Sequence, residues 1–429
     1  LVPHFEKMLY DNALFVWALI ETFQITKNPV YETAVRDVLS YIEKIMTSSN
    51  GAFFSAEDAD SEGVEGKFYL WSKAEVMEIL GIESGELACT YWDITENGNF
   101  EGSSIPNRPR SDQDVAKDFR ITVEELQDQL RIARKKLMAV RTKRIRPLLD
   151  NKVLTSWNAL MISAFARAAR VFGDSSFEKT AERAAAFIFK NLKDESGRLL
   201  RRWCDGEARY PAYLCDYAQM AMACLDLYET TYDPVWFRKG CELSNEIKRL
   251  FRNENGPFYD TGIDGEVLLT RNAEGYDGVE PSGNSSVANV FLRLNSYGLE
   301  SEFFEDAQRV FRCFSPMFNQ AGVSFCSMLS GLHFSLSGPK EVVISGRRGD
   351  AETEALLSEV RREFHPNTVT AFLEDGNSKL TEEIIPLASG RPMLNGRATA
   401  YVCQNQACRL PVHTVEELRE LLDSSYFQN

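Results

Sequence analysis

The chain has 429 residues, of which 44% are apolar, 26% charged and 11% aromatic, a composition that excludes disordered, collagenous and disulfide-scaffold classes and can fill a sizeable core. Lys and Arg number 48 against 63 Asp and Glu, and the net charge of -15 disfavours nucleic acid or an anionic membrane surface as a partner. No run of 18 apolar residues occurs, and nine dispersed cysteines without a C-x-x-C pair suit a reducing compartment, so a cytoplasmic protein is expected.

From its start, Leu1-Val2-Pro3-His4, the chain carries neither an initiator Met nor a basic leader, and it reads as a piece of something longer. Next comes a helical pair that recurs four times. Polar markers Asp11, Asn158, Asp216 and Asn284 open apolar helices. Aromatics Tyr31, Phe177, Trp236 and Phe304 follow at offsets of 20, 19, 20 and 20, and Gly51, Gly197, Gly256 and Gly322 at offsets of 40, 39, 40 and 38. The first helices (residues 12–23, 159–171, 217–228 and 287–294) are apolar nearly all round, as inner helices must be. The second carry one apolar stripe, such as Phe177, Ala181, Ala184, Ala185, Ile188 and Leu192, and are outer. Buried helices sheathed by amphipathic ones predict a mainly α protein, an (α/α)6-type toroid over residues 1–335.

An insertion at about residues 52–152 interrupts the repeat. Phe53-Phe54 and Lys67 to Trp71 bracket the acidic stretch Glu57 to Gly63, predicting a β-hairpin with a long loop, and a charged helix follows at about 122–143. Residues 336–429 change period again. Strand-like Glu341 to Ser345, helical Glu352 to Phe364 and strand-like Thr368 to Phe372 predict a small β-α-β addition, whose Gly346-Arg347-Arg348-Gly349 loop could hold a phosphate but lacks a full phosphate-binding pattern. Cys403 and Cys408 are spaced to bridge or bind metal if a turn joins them, with two ordinary thiols the favoured expectation.

Identical hairpins around a ring bring the inner-helix N-termini, and with them the markers, to one mouth. Asp11, Asn158, Asp216, Ser282 and Asn284 either cap helices there or meet a ligand, and Trp157, Tyr213 and Tyr217 stand beside them as faces for a sugar ring. Asp277 and Glu280 precede the last inner helix and, with Asp216, offer an acid/base carboxylate pair. Asp58 and Asp60, two apart, could bind a cation or shift each other's pKa, or form a solvated turn. His4 is a catalytic or a structural histidine. No metal-ligand spacing occurs, and neither a metal nor a cofactor is expected.

The segments LVPHFEKMLYDNA, EDADSEGVEGKFYLW, YWDITENGNFEG, VLTSWNALMI, EPSGNS and AYVCQNQAC together resemble the spermatogenesis-associated protein 20 family over essentially the whole chain. That resemblance implies a thioredoxin-like domain upstream, outside these residues, and a six-hairpin toroid similar to N-acylglucosamine 2-epimerase and six-hairpin glycosidases. The family pattern has a second acidic residue where this chain has Cys215, so Asp216 stands without a carboxylate neighbour in sequence. Sugar epimerases of this fold resemble two-base enzymes that use ring-centre histidines, for which His4 alone is a counterpart here. The leading expectation is a sugar isomerase or hydrolase acting on a small saccharide. Asp216, Glu280, Asp58 and His4 supply acid/base groups, and Trp157, Asn158, Tyr213, Tyr217, Asp11, Asp60, Asp277, Ser282 and Asn284 bind the substrate. The alternative is a non-enzymatic binding or scaffold module serving the upstream thioredoxin-like domain.

Overall fold

The computed structural model describes residues 2–423. They form two compact units, one built from residues 2–8 with 56–150 and the other from residues 9–55 with 151–423.

The larger unit is an α/α toroid. Its inner helices are α1 (Leu9–Thr26), α3 (Thr155–Phe172), α5 (Leu214–Thr231) and α7 (Gly283–Ser296), and its outer ones are α2 (Pro29–Ile45), α4 (Ser175–Asn191), α6 (Pro234–Phe251) and α8 (Ser301–Ala321). A further inner helix, α9 (Cys326–Leu336), follows. Helices α1, α3, α5 and α7 each pack on their own outer partner and on the next inner helix, α1 on α3, α3 on α5, α5 on α7 and α7 on α9. Because an outer helix always intervenes, the inner helices run in one direction and share one N-terminal end.

Short-range chemistry sets the helix bounds. Asn28, Asp174, Asp233 and Ser282 accept backbone N–H bonds as N-caps of α2, α4, α6 and α7, and Pro29 and Pro234 occupy first-turn positions where the missing N–H costs nothing. Gly51, Gly197 and Gly256 fall in the loops after the outer helices, whereas Gly322 opens a 3-10 turn, Gly322–Phe325, directly after α8. Gly51 and Gly197 have φ of +95° and +85°, where a side chain would be strained. Packing follows the amphipathic pattern: Phe177, Ala181, Ala184, Ala185 and Ile188 are buried on α4, and Phe165 stacks on Phe53 with ring centroids 5.4 Å apart. Helices α3, α5 and α7 are covered nearly all round, as expected. Helix α1 departs from that expectation: only Leu9, Ala13, Val16, Leu19 and Ile20 are buried, and Phe15 and Ile25 are exposed, because α2 and α3 cover only part of its circumference.

The β-α-β addition forms as predicted. Strand Lys340–Gly346 pairs in parallel with Thr368–Glu374 across the helix Ala351–Arg362. Two strands were not foreseen, Thr399–Gln404, antiparallel to Lys340–Gly346, and Ala407–Cys408, which hairpins onto it. That hairpin closes a Cys403–Cys408 disulfide, correcting the expectation of two free thiols. In the Gly346–Gly349 loop, Arg347 pairs with Asp375 and Arg348 with Glu374.

The smaller unit holds a short three-stranded sheet, Lys7–Met8, Ala56–Glu57 and Leu149–Asp150, with helices Lys73–Leu80, Ile82–Tyr91, Asp112–Phe119 and Val123–Arg141, the last being the predicted charged helix. The predicted long hairpin is absent. Trp71 bridges Ser104 rather than Phe53 or Phe54, and the acidic stretch itself turns back at Glu62-Gly63, both with positive φ, pairing Asp60–Ser61 with Val64–Glu65. Buried Glu57 explains the difference: Tyr69 donates to its Oε2 at 2.8 Å and Arg146 to its Oε1 at 2.6 Å, which anchors the stretch in the three-stranded sheet.

Candidate functional site

At the N-terminal ends of the inner helices, the sequence markers tie each loop to the next helix. Asn158 Oδ1 accepts the Phe53 N–H at 2.8 Å, and its Nδ2 donates to the carbonyls of Phe53 and Leu154, both at 2.9 Å. Asn284 repeats the device: Oδ1 accepts the Phe258 N–H at 2.8 Å, and Nδ2 donates to the carbonyls of Phe258 and Glu274 at 2.9 Å. In the intervening repeat the Tyr217 hydroxyl accepts the Leu199 N–H at 3.0 Å. Phe53, Leu199 and Phe258 each stand two residues past a repeat glycine. Expected to face a ligand, Asn158, Asn284 and Tyr217 are instead at most 1% exposed, with these polar atoms engaged in the scaffold.

Asp277 is engaged in the same way. Its Oδ1 accepts the Ser282 N–H at 2.9 Å, and its Oδ2 accepts the N–H groups of Ser327 and Met328 at 2.9 and 3.2 Å. Ser282, nearly buried, caps α7 by accepting the Ser285 N–H at 3.1 Å. Asp11 is exposed on α1.

The structure does bring Asp216, Glu280, Trp157 and Tyr213 together. Fully buried in the first turn of α5, Asp216 accepts the Ser156 N–H at 3.0 Å on Oδ1, and the Tyr213 N–H at 2.9 Å and Arg201 Nη1 at 3.2 Å on Oδ2. Burial raises its carboxyl above the usual range, with Arg201 and the amide donors opposing the rise. Glu280 accepts the Trp157 indole N–H at 3.1 Å on Oε1, while its buried Oε2 has no partner. Its carboxyl is also raised, by burial first, with the nearby Asp216 charge adding to the effect. Arg201 lies 4.6 Å over the half-exposed Tyr213 ring, and Tyr10 meets Trp157 edge-on at 4.8 Å. Cys215, in the same cluster, is held neutral because burial pushes its thiol far up.

His4, Asp58 and Asp60 belong to the smaller unit. His4 is exposed and stands 3.6 Å from Glu6. Asp58 Oδ1 accepts the Asp60 N–H at 3.3 Å, so the two form a solvated Asx turn rather than a paired carboxylate site.

Sequence reasoning missed the ring's interior. A cavity of about 940 Å³ lies among α1, α3, α5, α7 and α9 and is bounded also by residues 360–370. Across it runs an ion-pair network. Asp226 receives Arg167 Nε at 2.9 Å and Arg293 Nη1 at 2.8 Å, and Glu229 receives Arg293 Nη2 at 3.0 Å, Arg170, and the Tyr297 hydroxyl at 2.7 Å. Burial opposes ionisation of Asp226, and Arg167, Arg293 and Arg170 outweigh it, holding the carboxyl well below the usual range; Glu229 is lowered by the same balance. The Trp17 indole N–H and His365 Nε2, both in the cavity wall, are buried without partners. The signal lay in the sequence: Arg167, Arg170, Asp226, Glu229 and Arg293 interrupt otherwise apolar inner helices, and buried charges occur in matched sets. Among the described residues no group of three or more His, Cys, Asp or Glu could hold a metal ion, and no helix is long and apolar enough to cross a membrane.

Human spermatogenesis-associated protein 20 is 32% identical to the chain over 457 residues, 98% of this chain and 58% of that protein. The chain is a relative of spermatogenesis-associated protein 20. The mouse protein of that name is 30% identical over the same 98% share, and the uncharacterized protein B0495.5 of Caenorhabditis elegans is 31% identical, with 62% of its length covered. The chain thus spans about three fifths of the length of these relatives. No family model matches it. Among solved structures, cellobiose 2-epimerase from Spirochaeta thermophila is 13% identical with a TM-score of 0.43, covering 75% of this chain and 62% of that one. The GH76A α-1,6-mannanase from Salegentibacter is 14% identical with a TM-score of 0.32, covering 65% and 69%.

Proposed function

We propose that this relative of spermatogenesis-associated protein 20 is a carbohydrate-active toroid that takes a small, uncharged saccharide into the cavity among its inner helices. The observation that carries this reading is the cavity itself. Its volume of about 940 Å³ lies within the range of roughly 300–1,000 Å³ typical of small-molecule sites. Its wall combines an aromatic face, Trp17, with the amide side chains of Gln219 and Asn289. Arginines 167, 170 and 293 are matched by three carboxylates, Asp226, Glu229 and Glu21, which stands 3.8 Å from Arg167, so the wall offers a ligand little uncompensated charge, which favours hydroxyls over an anion.

Glu280 is the acid/base candidate. It precedes Pro281 of the cavity wall in the chain without itself lining the cavity, burial raises its carboxyl and so favours the protonated form, and its buried Oε2 has no partner. Asp216 stands beside it, held by Arg201 and two backbone N–H groups. A second reading, saccharide binding without turnover, draws on the cavity carboxylates: Asp226 and Glu229 are locked to arginines and hold no proton to give.

Calorimetry against a panel of neutral mono- and disaccharides tests the proposal. Saturable binding to the folded chain is expected, and silence across the panel overturns it. Product analysis with any binder then separates the readings: turnover lost in Glu280→Gln with binding kept supports the enzyme, and binding without product supports the module.

A further inference from the structure

The Cys403–Cys408 bridge lies outside the toroid and plays no part in the reading above. It closes the hairpin of Thr399–Gln404 and Ala407–Cys408, whose two turn residues, Asn405 and Gln406, both have positive φ (51° and 64°). A two-residue turn of that kind makes Gln404 and Ala407 the narrow hydrogen-bonded pair and places the cysteines opposite one another at the next, non-hydrogen-bonded pair, where side chains approach most closely. The Arg409 N–H to Val402 carbonyl bond at 2.9 Å resumes the ladder beyond them.

The two sulfurs differ in access. Cys403 is 2% exposed, whereas Cys408 stands on an exposed strand at the sheet edge. Over both lies one guanidinium: Arg391 Nη2 is 3.4 Å from Cys403 Sγ and 3.6 Å from Cys408 Sγ. Its other nitrogen donates to the Leu387 carbonyl, which fixes the group in place. Other ionisable groups nearby are Glu341, paired in register with Cys403 and raised by burial against the opposing Arg391 charge, Tyr401, whose hydroxyl is raised by burial against the same charge, and Arg409, next to Cys408 in the chain. A cation fixed on a sulfur pair does little for a disulfide and much for a thiolate.

We infer that Cys403, Cys408 and Arg391 form a redox-active site that exchanges two electrons with a dithiol. A thiolate of the dithiol attacks the accessible Cys408 Sγ, the Cys403–Cys408 bond breaks, and Cys403 departs as a thiolate beside Arg391. The second thiol of the reductant then attacks the mixed disulfide and frees Cys408. The dithiol leaves as a disulfide, and its two electrons reside on the cysteine pair, with one proton on Cys408 and the other, given up to solvent when the attacking thiolate formed, left off the Cys403 thiolate beside Arg391.

The test is a redox titration of the full chain with dithiothreitol of varied reduced-to-oxidised ratio, read by mass spectrometry after thiol alkylation, with circular dichroism as the folding control. Reversible reduction of this one pair in the folded chain is expected. Arg391→Met should move the equilibrium about tenfold toward the disulfide, Arg391→Lys should recover most of the change, and Glu341→Gln, which leaves Arg391 in place, should move it the other way. A pair that reduces only when the chain unfolds, cysteines that remain thiols under oxidising ratios, or an unchanged midpoint in Arg391→Met overturns the inference. Because the readout is thiol chemistry, its failure leaves the saccharide reading untouched, and failure of that reading leaves this site untouched.

Discussion

Glu280 is the residue at which local electrostatics speak most directly to function. Its folded pKa is raised while its unfolded pKa is ordinary, so the folded state holds the proton more tightly. The stability this contributes is full below about pH 4.3, the ordinary value, and declines as pH rises toward the folded pKa. Glu280→Gln keeps an oxygen for the Trp157 N–H and removes the titration. Chemical denaturation at pH 4 to 8 should therefore show the variant losing less stability with rising pH than the parent; parallel curves refute the assignment. Asn158 makes a different demand. Truncation to Ala leaves the buried Phe53 N–H and carbonyl without partners, and at about 1–3 kcal/mol for each unsatisfied group the loss should approach 3 kcal/mol in urea denaturation. A loss below 1 kcal/mol would mean that the pin is dispensable.

Elements decide how the ring holds together. Helices α3, α5 and α7 are joined by dispersion and apolar burial along most of their length, and then by the Arg167–Asp226–Arg293–Glu229–Arg170 network. Such a network adds little net stability over an apolar replacement, but removing one member strands the others. Asp226→Asn should cost about 3–5 kcal/mol. Because the folded carboxyls of Asp226 and Glu229 lie below their ordinary range, the parent's advantage over the variant is present above the unfolded pKa and disappears as the solution is acidified through the folded values. At this scale the sequence was most readable. Helical period and the marker, aromatic and glycine offsets located all four hairpins, because a packed face must repeat every turn. It was least readable in the acidic stretch, where apolar clusters at Phe53-Phe54 and Lys67 to Trp71 suggest partners but a single buried carboxylate, Glu57, decides the pairing. The markers themselves were visible while their role was not: an Asn at a helix start can face a ligand or a neighbouring loop with equal propriety, and only the positions of Phe53 and Phe258 settle which.

For the molecule as a whole, the question is whether the ring's open centre is a site or a packing defect. A void in a scaffold is lined by apolar groups and stays dry. This one presents Trp17 with a buried, unpartnered N–H and Arg167 stacked 4.1 Å over its ring. An unmet donor at the wall of a cavity is a cost carried by the empty protein and recovered when a ligand oxygen arrives. Trp17→Phe removes that donor and keeps most of the apolar face. In the absence of saccharide the variant should be as stable as the parent or slightly more so, whereas in its presence the parent alone should gain fully: ligand at a hundredfold excess over Kd is worth about 2.7 kcal/mol, and loss of one hydrogen bond of about 1.4 kcal/mol weakens binding about tenfold. Thermal melts of both proteins across a saccharide titration give both quantities at once. Equal ligand-induced shifts would show that the indole N–H meets no ligand, and a destabilised empty variant would show that Trp17 serves the fold instead.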